Sequence, residues 1–97
     1  MRMRWIIGAA LLAAAGGPAR AADAEAGAKL AQQWCSGCHS IGGKPGPDTA
    51  PALPPAGRDA TWLRGWLHAP HPPMPDLDLG RQQVDDLVAY LDSLRGR

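Results

Sequence analysis

The sequence predicts an all-α fold: three or more short helices joined by long loops. Three observations carry this. Three segments space their apolar residues as helices do, no segment alternates as a strand would, and glycine and proline crowd the joints. The chain has 97 residues, 12 of them glycine and 10 proline, a length that suits one domain.

That domain is expected to start after a leader. "MRMRWIIGAALLAAAGGPARAADA" opens on Arg2 and Arg4, runs apolar from Trp5 to Ala15, breaks at Gly16, Gly17 and Pro18, and ends in small residues around Arg20. Charged start, short apolar middle and small-residue end predict a secretory signal peptide over residues 1–21, cleaved near Ala21 or Ala22. The apolar run is shorter than the ~20 residues a membrane span takes, so no span is expected after cleavage. Residues 22–97 are expected to form the working domain, exported from the cytoplasm. The whole chain counts ten basic and nine acidic residues; Arg2, Arg4 and Arg20 leave with the leader, so seven basic residues face nine acidic ones, a net charge of −2. That balance speaks against nucleic-acid binding, which needs a basic patch.

The first helix is expected from Asp23 or Ala24 to Trp34. Asp23 can cap it, Glu25 suits the first turn, and alanine, lysine, leucine and glutamine favour helix. Gly27 costs about 1 kcal/mol against alanine there. It points to the close approach of another backbone, with a tolerated surface glycine as the alternative. From Ser40 to Gly57 five prolines (Pro45, Pro47, Pro51, Pro54, Pro55) and four glycines (Gly42, Gly43, Gly46, Gly57) exclude a regular element. A loop of this length in a small domain is expected to wrap something.

The second helix runs from a cap at Asp59 to about His68, with Trp62, Leu63, Trp66 and Leu67 on one face. The tryptophans serve either as core or as indole N–H donors to a polar group of a cofactor. The third helix runs from about Arg81 to Leu94. Val84, Leu87, Val88, Leu91 and Leu94 form its apolar stripe, Arg81, Asp85, Asp86 and Asp92 take the other faces, and Arg95 and Arg97 suit its negative end.

The chemistry lies in "QWCSGCHSI". Cys35 and Cys38 are the only cysteines, and His39 follows at once. C-x-x-C-H is the attachment signature of c-type haem. Each thiol adds to one vinyl group, and the adjoining imidazole reaches the iron. A thioredoxin-like pair needs a βαβ setting, a zinc site needs about four ligands, and a plain disulfide leaves His39 unexplained. The roughly 75 residues left after cleavage make a small core, which a covalent cofactor would complete. One haem c per chain is therefore expected, bound by Cys35 and Cys38, with His39 as an axial ligand.

The sixth ligand is read as Met74, the only methionine beyond the leader. In "HPPMPDL", Pro72, Pro73 and Pro75 are expected to hold it in a rigid, extended segment. His71 is the rival ligand and His68 a weaker one. Histidine and methionine together fill both axial positions, and methionine favours ferrous iron. The expected function is a soluble one-electron carrier, not an enzyme, working as a monomer between a redox donor and acceptor (an oxidase, a dehydrogenase or another cytochrome). The alternatives are a haem-bearing subunit of a larger redox enzyme, or a sensor or peroxidase-like protein with a labile sixth ligand.

Over its whole mature length the chain resembles the class I cytochromes c, especially the small bacterial periplasmic ones. A helix leads into "CSGCH", a looped middle holds "APAL", a helix precedes "MPDL", and a last helix carries "DDLVAYLDSL". The resemblance implies the cytochrome c fold, wrapped around one haem. It implies that Gly27, eight residues before Cys35, lets the first and last helices cross, with Leu87 and Tyr90 opposite. It implies that the carbonyl of Pro51 (or of Pro47) accepts a bond from the axial histidine, and that Trp62 or Arg58 binds a haem propionate. The aromatic usual one turn after the glycine is replaced by Ala31, and Trp34 is expected to compensate.

Overall fold

The structure, a computed structural model, describes residues 21–95. The leader apart from Ala21, and Arg97, lie outside the described residues. Helix α1 spans Ala24–Trp34, α2 Ala60–His68 and α3 Arg81–Ser93. All three begin and end within a residue of expectation, and the only β feature among the described residues is one parallel bridge, Ile41 to Leu53.

The caps explain the boundaries. The Asp23 carboxylate accepts from the N–H groups of Glu25 and Ala26 at 2.9 and 3.1 Å, and that of Asp59 accepts from Trp62 at 2.9 Å. Each satisfies donors that a helix start leaves orphaned. At α3 the side chain of Gln83 reaches back to the Gly80 N–H at 2.9 Å.

The core gathers Ala31 and Cys35 from α1 and its C-cap, Leu63 and Leu67 from α2, and Val84, Leu87, Val88 and Leu91 from α3. Val84 and Leu87 are wholly buried. Within α2 the leucines enter this core, while Trp62 flanks it and Trp66 is half-buried.

Helices α1 and α3 cross at Gly27. A Cβ there would lie 2.0 Å from the Asp86 carbonyl oxygen and 2.9 Å from Tyr90 Cβ, so the glycine is a packing requirement and not a surface accident. Two expectations fail nearby. Asp86 does not take an outer face; it is buried. Its Oδ1 accepts the Asp23 N–H at 2.8 Å and the Gln82 side-chain amide at 2.9 Å, and this pairing lets a carboxylate sit inside. Trp34 does not stand in for the missing aromatic. It points outward, 51% exposed, while Ala31 is buried.

The loop after α1 folds back onto the haem motif through backbone bonds. Ala50 N–H donates to Cys38 O at 3.0 Å, Leu53 N–H to Ser40 O at 2.8 Å, and Gly42 N–H to Leu53 O at 2.9 Å. Gly42 and Gly43 turn the chain with φ of 67° and 77°, a region that glycine enters freely.

Candidate haem site

The motif residues lie in the turn that ends α1. Cys35 is the C-cap, its N–H bonded to Ala31 O at 2.9 Å, and the N–H groups of Cys38 and His39 return to Cys35 O at 3.2 and 3.0 Å. This tight turn sends the two thiols to different surroundings. Cys35 joins the apolar core and Cys38 is exposed; both are free thiols. Burial pushes the Cys35 thiol above its ordinary pKa, because an apolar surrounding disfavours the thiolate.

His39 is oriented from behind. Its Nδ1 lies 2.5 Å from the carbonyl oxygen of Pro51. A carbonyl only accepts, so Nδ1 carries the proton and Nε2 is left with its lone pair. The returning loop makes this contact, since Ala50 and Leu53, on either side of Pro51, are the residues bonded back to Cys38 and Ser40. Pro51, and not Pro47, is the proline placed on His39.

Met74 is half-buried and packs against the same apolar cluster that holds Cys35. Its Sδ accepts the indole N–H of Trp66 at 3.0 Å. The segment around it is not extended as expected. Met74 N–H bonds to His71 O at 3.1 Å, and the Pro72–Pro73 peptide is cis. A hydrogen bond of that span with a cis proline at its third position makes a tight turn, so the prolines fix Met74 by folding the chain rather than stretching it.

The remaining candidates are placed as follows. Trp62 stacks on Trp66, with centroids 5.3 Å apart and planes 13° from parallel. The Arg58 guanidinium sits 4.7 Å above the Trp62 ring, so these two are brought together. The exposed His71 lies against the Trp66 ring, 5.3 Å between centroids, and His68 is exposed. Among the described residues no three or more His, Cys, Asp or Glu gather as metal ligands. A cleft of about 830 Å³ opens between α1, α3 and the loop, bordered by Ala31, His39, Ile41, Tyr90 and Leu94. Neither cysteine nor Met74 lines it.

The donor set fits haem c. It offers two thiols at the attachment spacing, one imidazole nitrogen freed by a hydrogen bond on the other, and one thioether at the edge of the same apolar cluster. Sequence reasoning missed Trp66 as the partner of Met74. The signal was present, a tryptophan eight residues before a proline-fenced methionine, but its direction depends on how the turn at His71–Met74 folds.

Comparison with known proteins agrees with this site. Residues 22–91 match the family described as cytochrome c oxidase, cbb3-type, subunit III. Cytochrome c-552 of Bradyrhizobium diazoefficiens is 34% identical over 101 residues, an alignment covering 98% of this chain and 97% of that protein. No solved structure matches the chain. Since both matches run through the C-x-x-C-H turn, Met74 and α3, the chain belongs to the cbb3-type subunit III family of cytochromes c: it is a small bacterial c-type cytochrome, an electron carrier with one covalently bound haem.

Proposed function

We propose that this cytochrome is a diffusible carrier of the bacterial periplasm, its iron held by His39 Nε2 and Met74 Sδ and its haem bonded to Cys35 and Cys38. Haem c supplies the one-electron ferric–ferrous couple. The observation that supports the ligand pair is a matched orientation. His39 has one nitrogen tied to Pro51 and Met74 one side of its sulfur tied to Trp66. Each keeps a single donor position free, and hydrogen bonds of this kind fix ligand geometry and tune the metal. With His39 and Met74 both holding the iron, substrates would find no open coordination site, which supports electron transfer over catalysis. Export rests on the leader over residues 1–21. No helix among the described residues is long and apolar enough to cross a membrane.

The test is carbon monoxide binding to reduced protein. The wild type resists it and shows the methionine-to-ferric-iron absorption. Met74→Ala loses the absorption and binds the gas readily, while His68→Ala and His71→Ala change neither. Opening of the iron by His71→Ala instead of Met74→Ala would make this a bis-histidine cytochrome, and rapid binding by the wild type would favour a sensor or peroxidase-like protein.

A second reading has its own observation. The matched family is described as an oxidase subunit, which fits a cytochrome docked permanently in a larger redox enzyme. The relative that matches over nearly its whole length is named as a cytochrome c-552 and not as an oxidase subunit, which supports a free carrier instead. Size exclusion of a native extract separates the two: the haem elutes with a small protein or with a large complex.

A further inference from the structure

The Trp66–Met74 contact is built with more care than core packing requires. Trp66 stands on α2, its ring held between the stacked Trp62 and the ring of His71. Met74 is fixed by the turn that His71 O closes. Trp62 steadies the donor and the turn steadies the acceptor, with His71 touching both, and the indole Nε1 meets Sδ at 3.0 Å.

A thioether sulfur has two lone pairs and accepts hydrogen bonds weakly. With one lone pair directed at an indole N–H, the sulfur keeps the other as its donor. The N–H also draws electron density from the sulfur, which makes it a poorer donor. Ferric iron asks more of a donor than ferrous iron does, so the ferric state loses more.

We propose that Trp66 is a positioning residue that sets the donor strength of Met74, its indole N–H orienting the thioether and raising the potential of the carrier. The proposal rests on ligation by Met74. A hydrogen bond of ordinary net strength shifts an equilibrium by about two- to tenfold, and a change of that size in the ferric-to-ferrous ratio at a fixed reference potential is expected.

The experiment uses the haem-loaded protein with two replacements at position 66. Trp66→Phe removes the donor and some volume. Substitution of Trp66 by 3-benzothienylalanine keeps the shape of the indole and replaces only its N–H by sulfur. Both are read by redox titration, by the methionine-to-ferric-iron absorption and by carbon monoxide binding. The expected result is a lower potential in both, with the absorption kept and carbon monoxide still resisted. A fall in Trp66→Phe alone overturns the proposal in favour of packing. No change in either overturns it outright, and loss of the absorption in both reduces Trp66 to a structural clamp. Failure of the underlying ligation shows separately, as a wild type that lacks the absorption before any substitution.

Discussion

The α1–α3 crossing and the α2–Met74 side divide the molecule into two halves finished by different means. At the crossing, protein meets protein. Gly27 lies against the Asp86 carbonyl and Tyr90, the Asp86 side chain ties down the start of α1, and Val84 and Leu87 are sealed beneath. On the other side Trp62 and Met74 only flank the core, with the half-buried Trp66 stacked on Trp62. Trp66 and Met74 meet through their polar atoms, the indole N–H donating to Sδ. The first half is a joint that the chain closes itself, and the second is a fitting whose last component is the haem. Stability and redox behaviour should therefore respond to different residues.

The largest break comes from withholding haem. Among the described residues the buried apolar set comprises eight, a thin core for a domain of this size, and a group bound only by the folded state stabilises it by linkage. The Cys35→Ala, Cys38→Ala double variant is expected to be mostly unfolded, with circular dichroism showing little helix. In wild-type chain made without haem, the two thiols should alkylate at the same rate despite their contrasting burial in the fold. Slow labelling of Cys35 would show that the crossing holds the core together unaided.

The next effect is at the crossing. Gly27→Val pushes a branched side chain into the Asp86 backbone, and overpacking of this kind costs about 1–3 kcal/mol or more. Thermal unfolding of the loaded protein should drop sharply while the methionine-to-ferric-iron absorption persists below the transition. Asp86→Ala acts on the same half and removes the acceptor of the part-buried Asp23 N–H bond, at about 0.5–1.5 kcal/mol. Asp86→Asn keeps an acceptor and should recover part of the loss in the same melt. The smallest effect belongs to Arg64, whose ion pair with Asp85 at 3.2 Å links α2 to α3 at a partly exposed site. Arg64→Ala should cost less than about 1 kcal/mol, within the scatter of a denaturant titration, and leave the potential unmoved.

The two halves were also unequally legible in the sequence. Helix limits could be read because the caps at Asp23 and Asp59 act within three residues. Gly27 stood out as a helix-weakening residue that needed a reason. Asp86 could not be found this way. It is one of two adjacent acids, and its partner Asp23 is 63 residues distant, so only the angle of the crossing decides which acid turns inward. On the haem side the cofactor was legible from the C-x-x-C-H spacing, and the roles read for Cys35, Cys38, His39 and Met74 belong to the proposal above. The fold of the segment before Met74 was not, because proline restricts the backbone without choosing between an extended run and a tight turn. Trp34 was misplaced for a related reason. An aromatic vacancy at Ala31 suggested a substitute three residues on, a neighbouring position on a helix, but Trp34 is the last residue of α1 and faces water.

The outward Trp34 has an optical consequence. It adjoins Cys35 in the sequence, and the other tryptophans of the described residues, Trp62 and Trp66, are stacked on each other. In so small a body every indole lies within energy-transfer range of a haem attached at Cys35 and Cys38, so its emission should be quenched. Opening the fold lets the stacked pair move away, while Trp34 stays tethered one residue from the attachment. Partial recovery of fluorescence then reports departure of α2, and the residual dark fraction reports Trp34. The chain carries an internal ruler for the separation of its two halves, with no added dye.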